Sequence, residues 1–256
     1  MSSLLAFTKK EITEHLRSGR LLILCILFVL LGIMNPAVAK LTPWMMEIMA
    51  DTLAETGIII TEVTVTAMDS WVQFFKNIPM GLIAFVLLES GIFTKEYTSG
   101  TLVLSLTKGL SRYKVVIAKT AVLTVLWSAC YWLCFGITYG YNAYFWDNSI
   151  AQNLIVSVVF WWLFGLAVVM LVVLFSTLSK SNTGVLCGTA SVILGCYLVG
   201  FLPKCGKFLP TYLADGNSLI YGMKEPDTYV PSLLITVAIC IVSLIISIPL
   251  FDKKQL

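Results

Sequence analysis

The sequence predicts an all-α polytopic membrane protein with six transmembrane helices, and three observations predict it. Hydrophobic residues make up 58% of the 256 positions and charged residues 12%, with a mean hydropathy of +0.90. That leaves too little polar surface to coat a water-soluble globule, so the bilayer is the solvent. Six apolar runs reach the roughly 20 residues that a helix rising about 1.5 Å per residue needs to cross about 30 Å of hydrocarbon. The basic residues gather between alternate runs, as the retention of Lys and Arg on the cytoplasmic side requires. The whole of 1–256 therefore reads as a single transmembrane domain.

Residues 1–20 open the chain. Leu5, Ile12 and Leu16 recur at helical spacing while Lys9, Lys10, Glu14 and Arg17 take the other faces. This predicts an amphipathic helix on the inner leaflet. His15, the single histidine, has no evident partner here and reads as an interfacial residue.

The first span covers 21–39. With the basic stretch before it and Ala37-Val38-Ala39 at its end, it imitates a secretory signal. The twenty residues that precede it are too long for a signal's basic region, so an uncleaved span is expected. Residues 40–73 form the first extracellular segment. Leu41, Trp44, Met45, Ile48 and Met49 share a helical face in it, predicting a short separate interfacial helix. Residues 57–66, rich in Ile, Val and Thr, suit a small strand or extended cap.

The remaining spans are 74–93, 115–139, 154–178, 185–202 and 230–251, with a second extracellular segment at 203–229 whose Pro, Gly and Asn predict irregular backbone, part of it dipping back toward the membrane. With the amino terminus inside, cytoplasmic segments hold twelve of the seventeen basic residues, so both termini are expected in the cytoplasm. Trp71, Tyr139, Tyr141, Tyr144 and Trp146 mark an outer aromatic belt. Gly184, Gly188, Ser191 and Gly195 in the fifth span, and Gly136 and Gly140 at the end of the third, are spaced for close helix packing or for a seam between two copies. Trp127, Trp132, Trp161 and Trp162 lie deeper; they either line an apolar cavity or serve packing and lipid contact.

A net charge of +3 in short clusters is no nucleic-acid footprint, and no such partner is expected. The seven cysteines lie in apolar runs, Cys205 excepted, and read as small hydrophobes and not as a disulfide framework. Cys130 and Cys134 share a face, but no His or carboxylate beside them completes a metal site.

The functional signal is in the link between the second and third spans, residues 94–114. Glu89 and Gly91 end the span; Lys95-Glu96, Ser99-Gly100-Thr101, an apolar stretch with Leu104 and Leu106, Lys108-Gly109 and Ser111-Arg112 follow, with Lys119 beyond. Ser99 is placed to cap a two-turn helix running along the membrane face. As a set, Glu89, Glu96, Gly100-Thr101, Leu104, Leu106, Ser111-Arg112 and Lys119 resemble the permease subunits of six-span type 2 ABC exporters, the resemblance covering the whole chain in span count, termini and amino-terminal helix. Gly109 stands where that family tends to have Pro, which implies a looser turn.

The resemblance implies that 94–114 is a coupling helix, with Glu89, Glu96, Ser99, Gly100, Thr101, Leu104, Leu106, Ser111 and Arg112 engaging a separate nucleotide-binding subunit. It implies a second permease, identical or not, with the second and fifth spans along the seam, and a bacterial cytoplasmic membrane as the location. The chain has no Gly-x-x-x-x-Gly-Lys-Ser/Thr loop, so ATP and Mg²⁺ belong to the partner and this chain carries no cofactor or metal and no ATPase site of its own. Among such small permeases, peptide export and immunity are common, so the resemblance favours an amphipathic peptide of the bacteriocin or phenol-soluble-modulin kind, with a lipid or drug as the alternative cargo. An ion-coupled carrier needs an ionisable residue deep in a span, and Glu89 and Lys76 lie near span ends. An intramembrane enzyme needs a base beside a nucleophile, and the spans contain no His. A non-transporting scaffold stays open.

Overall fold

The computed structural model describes residues 3–55, 64–107, 109–202 and 205–254; the side chains of 50–55, 104 and 105 are also outside the description. The described residues are helical almost throughout, without a strand, and six helices have the length and apolarity to cross a membrane. The expected strand at 57–66 falls largely on 56–63, outside the described residues.

Helix α1, Ser3–Arg17, is joined to α2, Arg20–Glu55, through Gly19, whose φ of +71° is open to glycine at no steric cost and turns the chain. Sequence reading split α2 into a span and a separate interfacial helix at Lys40. The structure corrects this: one helix of 36 residues, about 54 Å long, runs through Pro36 and Pro43 and overshoots the hydrocarbon on the far face. Pro43 deletes one backbone bond but no Gly or Asn cap follows it to stop the helix, and the apolar face of Trp44, Met45 and Ile48 extends that of the span.

Helix α3, Ala67–Glu89, starts a turn or two before the predicted Phe74, because Asp69 Oδ2 accepts from the backbone N–H of Thr66 at 2.8 Å and closes the amino end. It runs almost unbroken into α4, Gly91–Ser99. Gly100, at φ +69°, ends α4, and a separate two-turn helix α5, Thr101–Thr107, follows. Ser99 does not cap it from a separate position: it is the last residue of α4, and its hydroxyl meets that of Thr101 at 2.9 Å.

Helices α6, Arg112–Phe145, α7, Leu154–Leu178, and α8, Asn182–Gly200, complete spans three to five. Between α8 and the last helix, the chain folds through short 3₁₀ turns and α9, Gly216–Ile220, before α10, Val230–Asp252. This linker does turn inward: Leu213, Leu219, Ile220 and Tyr229 are fully buried, Trp161 Nε1 donates to the Ala214 carbonyl at 3.0 Å, and Gly216 lies so close to Phe75 that an added Cβ would meet its ring at 2.3 Å.

The core is aromatic. Trp127 is packed edge-on by Phe28 and Phe85 at 6.1 and 5.5 Å and lies against Tyr131, and Gly165 of α7 makes room for its indole. Trp71 is buried too, with Nε1 donating to Asn148 at 3.0 Å, so it belongs to this core and not to the outer belt. Helix α2 packs on α3 and α6, and α7 on α10, α8 and α6. Helices α8 and α10 turn large apolar side chains such as Leu194, Leu198 and Ile245 outward.

Candidate functional site

Both chain ends and the α4–α6 connection meet on one face of the bundle, called here the terminal face: Lys114 Nζ bonds Ser3 Oγ, and Arg112 bonds the end of α10. A cluster of charges is buried there. Helix α1 presents three faces to three surroundings. Leu5, Ile12 and Leu16 point outward, Lys9 and Arg17 are exposed, and Phe7, Glu11 and His15, one residue per turn, are buried against the bundle.

His15 is therefore no bystander at the interface, which corrects the sequence reading. Its Nε2 lies 2.9 Å from Glu89 Oε2, and its Nδ1 lies 2.9 Å from the Glu11 carbonyl. Both partners only accept, so the arrangement is satisfied by the doubly protonated ring. Burial works against that charge, but the bond to Glu89 and the charge of Glu89 outweigh it, and the His15 pKa is raised above its ordinary value.

One turn earlier, Glu11 binds Lys119 of α6: Lys119 Nζ donates to Glu11 Oε2 at 2.8 Å and to the Ile92 carbonyl at 2.9 Å, and lies 3.0 Å from Glu96 Oε2. Lys10 closes the ring, reaching Glu96 Oε1, Glu11 Oε1 at 3.1 Å and Glu14 Oε2 at 3.1 Å. Phe7 and Phe93 flank the Lys119 ammonium with their rings. Glu11, Glu89, Glu96 and Lys119 are all buried. Three buried carboxylates thus face Lys10, Lys119 and His15, with the exposed Glu14 a fourth carboxylate on Lys10, so a protonated His15 is needed to answer the buried negative charge.

This makes α4 a hub. Glu96 ties it to α1 and α6, the Thr94 hydroxyl donates to Asn182 of α8, the Tyr97 hydroxyl donates to the Ser176 carbonyl of α7 at 3.0 Å, and Phe93 and Tyr97 pack on Phe251 of α10. The carboxyl end of α10 is locked in turn. Arg112 Nη1 donates to the carbonyls of Phe251, Asp252 and Lys254, and Lys254 Nζ donates to those of Thr177 and Ser179 at the end of α7, where the helix dipole favours a cation.

The structure thus brings Glu89, Glu96 and Arg112 into internal bonding. Gly100 forms the α4–α5 corner with open space where a side chain would be, and Thr101 begins α5 on the exposed side. Leu106 is half-buried against the core, Ser111 precedes α6 in extended backbone, and the Leu104 side chain and Lys108 lie outside the described residues. Leu102 is buried and Val103 is exposed.

The glycine stripe of α8 divides. Added Cβ atoms at Gly184 and Gly188 would strike Ser179 and Phe175, so these serve packing within the chain, whereas Ser191 is exposed and Gly195 has nothing near it. Gly136 and Gly140 likewise face open space, so among the described residues no helix packs on them. Of the four deep tryptophans, Trp127 is core, Trp132 is partly exposed, and Trp162 donates to Ser128 at 3.0 Å. Trp161 does line a cavity of about 300 Å³ between α3, α7 and α8, with Leu82, Val86, Phe164, Thr189 and Tyr197. The Thr189 hydroxyl is buried there without a hydrogen-bond partner among the described residues.

A profile of the family described as ABC-2 family transporter protein matches residues 5–256. No curated protein matches the chain.

Proposed function

The chain belongs to the ABC-2 transporter family, whose members are the membrane permeases of ABC transporters and leave ATP hydrolysis to a nucleotide-binding subunit; from that premise we propose that α4 and α5 form its coupling device. In this reading the terminal face is cytoplasmic, α5 docks on the ATPase, and α4 passes the displacement to the spans. One observation carries it: α4 continues the second span directly, bears α5 at its tip, and is bonded to α1, α6, α7, α8 and α10 at once. A push on α5 is then felt by most of the bundle. ATP and Mg²⁺ belong to the partner.

The cargo in this reading is an amphipathic peptide moved outward, through a pathway completed by a second permease along α3 and α8. The apolar cavity between α3, α7 and α8, with one unpartnered hydroxyl at Thr189, favours a largely apolar ligand. Met80, Ile83 and Leu87 of α3 and Leu194 and Leu198 of α8 are exposed large apolar residues, which a seam along these two helices would cover. The test is reconstitution with the nucleotide-binding subunit in a bilayer. ATP turnover rising with amphipathic peptide supports the reading; a flat response to peptides with a rise on lipid or drug moves it to the alternative cargo, and no ATPase coupling at all overturns it.

A further inference from the structure

A second apolar cleft, of about 180 Å³, lies on the terminal face between α1 and α6, away from the cavity just described. Thr8, Ile12 and His15 of α1 form one wall and Ala121, Val122 and Val125 of α6 the other, with Leu21 at the end where α2 begins. His15 has both ring nitrogens turned to oxygen atoms, so it offers the cleft only carbon. The rim residues Ile12 and Val125 are exposed, as are Leu16 and Leu22 beside them, so the cleft opens on the lipid-facing flank. It is too small for a helix, whose diameter with side chains is about 10–12 Å. An extended hydrocarbon chain fits it.

At the α1–α2 corner Arg20 directly precedes Leu21 of the cleft, and no carboxylate pairs with it among the described residues, whereas Arg17 lies on the other face of α1 with Lys10 and Glu14. An apolar slot for a chain, opening to lipid beside an unneutralised guanidinium group, has the charge pattern of a phospholipid with a net negative headgroup. We propose that an anionic phospholipid of the leaflet on the terminal face binds here, one acyl chain between α1 and α6 and its phosphate on Arg20. The wall it touches is the helix that holds Glu11 and His15 in the buried charge cluster, so the bound chain seats α1 against the bundle.

The full chain, held in nanodiscs, is photolabelled with phosphatidylglycerol bearing a diazirine in its acyl chain, and in parallel with phosphatidylcholine bearing the same chain. Labelled peptides are mapped by mass spectrometry. Labelling concentrated on α1 and on 121–126 is expected, stronger with phosphatidylglycerol by several fold. Ala121→Trp, which fills the slot, removes the concentrated label. Arg20→Gln, outside the charge cluster, reduces the glycerol-lipid preference by roughly fivefold, while Arg17→Gln, on the other face of α1, leaves it unchanged. Label spread evenly over the lipid-facing helices, equal labelling by the two lipids, or a preference unchanged in Arg20→Gln overturns the proposal.

Discussion

His15 and Glu89 are 74 positions apart in the chain, yet Nε2 of one lies 2.9 Å from Oε2 of the other, both shut off from solvent. This contact fastens the amino-terminal helix to the end of the second span. Because the Glu89 interaction raises the His15 pKa above the ordinary 6.5 despite burial, the contribution to stability is complete below that value and is lost as pH climbs through the raised one. The melting temperature of the purified protein should therefore fall on the alkaline side, and His15→Gln should flatten that fall. A wild-type melting temperature that holds steady well into alkaline pH would contradict the assignment.

Removing one partner from a buried ion pair costs more than removing both, about 3–5 kcal/mol for the single change. Lys119→Met leaves Glu11 and Glu96 with only Lys10 to answer them. It should destabilise by that amount in a denaturant or thermal series. Adding Glu96→Gln should recover a substantial part of the loss. Strict additivity of the two changes would mean that the pair is not coupled.

Arg112 braces the end of α10 with three backbone bonds, and hydrogen bonds to a charged group are each worth about 1.5–3 kcal/mol. Exposure to solvent trims that figure. Arg112→Ala should speed amide exchange at 250–254 and, in the reconstituted complex, lower stimulated ATP turnover. Glu96→Ala should lower turnover as well, by freeing α4 from α1 and α6. Unchanged turnover in both would place the coupling elsewhere.

What could be read from the sequence follows from what physics makes local. A bilayer imposes long apolar runs, and those runs gave six spans and the acidic residue at the end of the second. The boundaries failed where continuity depends on tertiary support, as at Lys40, where α2 runs on through Pro43. The charge cluster was half visible: Glu89, Glu96 and Lys119 stood out as a set, but His15 and Glu11 did not. The available signal was the spacing of Phe7, Glu11 and His15, one turn apart, on a face distinct from Leu5, Ile12 and Leu16. Two charged or titratable residues on one stripe of an interfacial helix need a buried counter-charge, which only folding supplies.

Glycine positions separate packing inside the chain from a surface left open. At Gly165 an added Cβ would be 2.1 Å from the Trp127 ring, and at Gly188 it would be 2.3 Å from Phe175, so Ala at either should destabilise by about 1–3 kcal/mol. Gly195→Ala has room and should leave the stability of the single chain unchanged. If a second permease packs along α8, Gly195→Leu should lower the dimer fraction in cross-linking at the same chain stability. A dimer indifferent to that change would move the seam off α8.

The Thr189 hydroxyl, buried without a partner on the wall of the 300 Å³ cavity, gives the most direct probe of what the cavity holds. An unmet buried polar group costs about 1–3 kcal/mol, so Thr189→Val, of nearly the same shape, should be neutral or stabilising in the empty protein. If cargo offers that hydroxyl a hydrogen bond, the same change should weaken peptide stimulation of ATP turnover, leaving the basal rate alone. Thr189→Trp fills the space outright and should abolish stimulation at every peptide concentration. Stimulation that survives the tryptophan, in a variant with a normal melting temperature, would show that cargo takes another route.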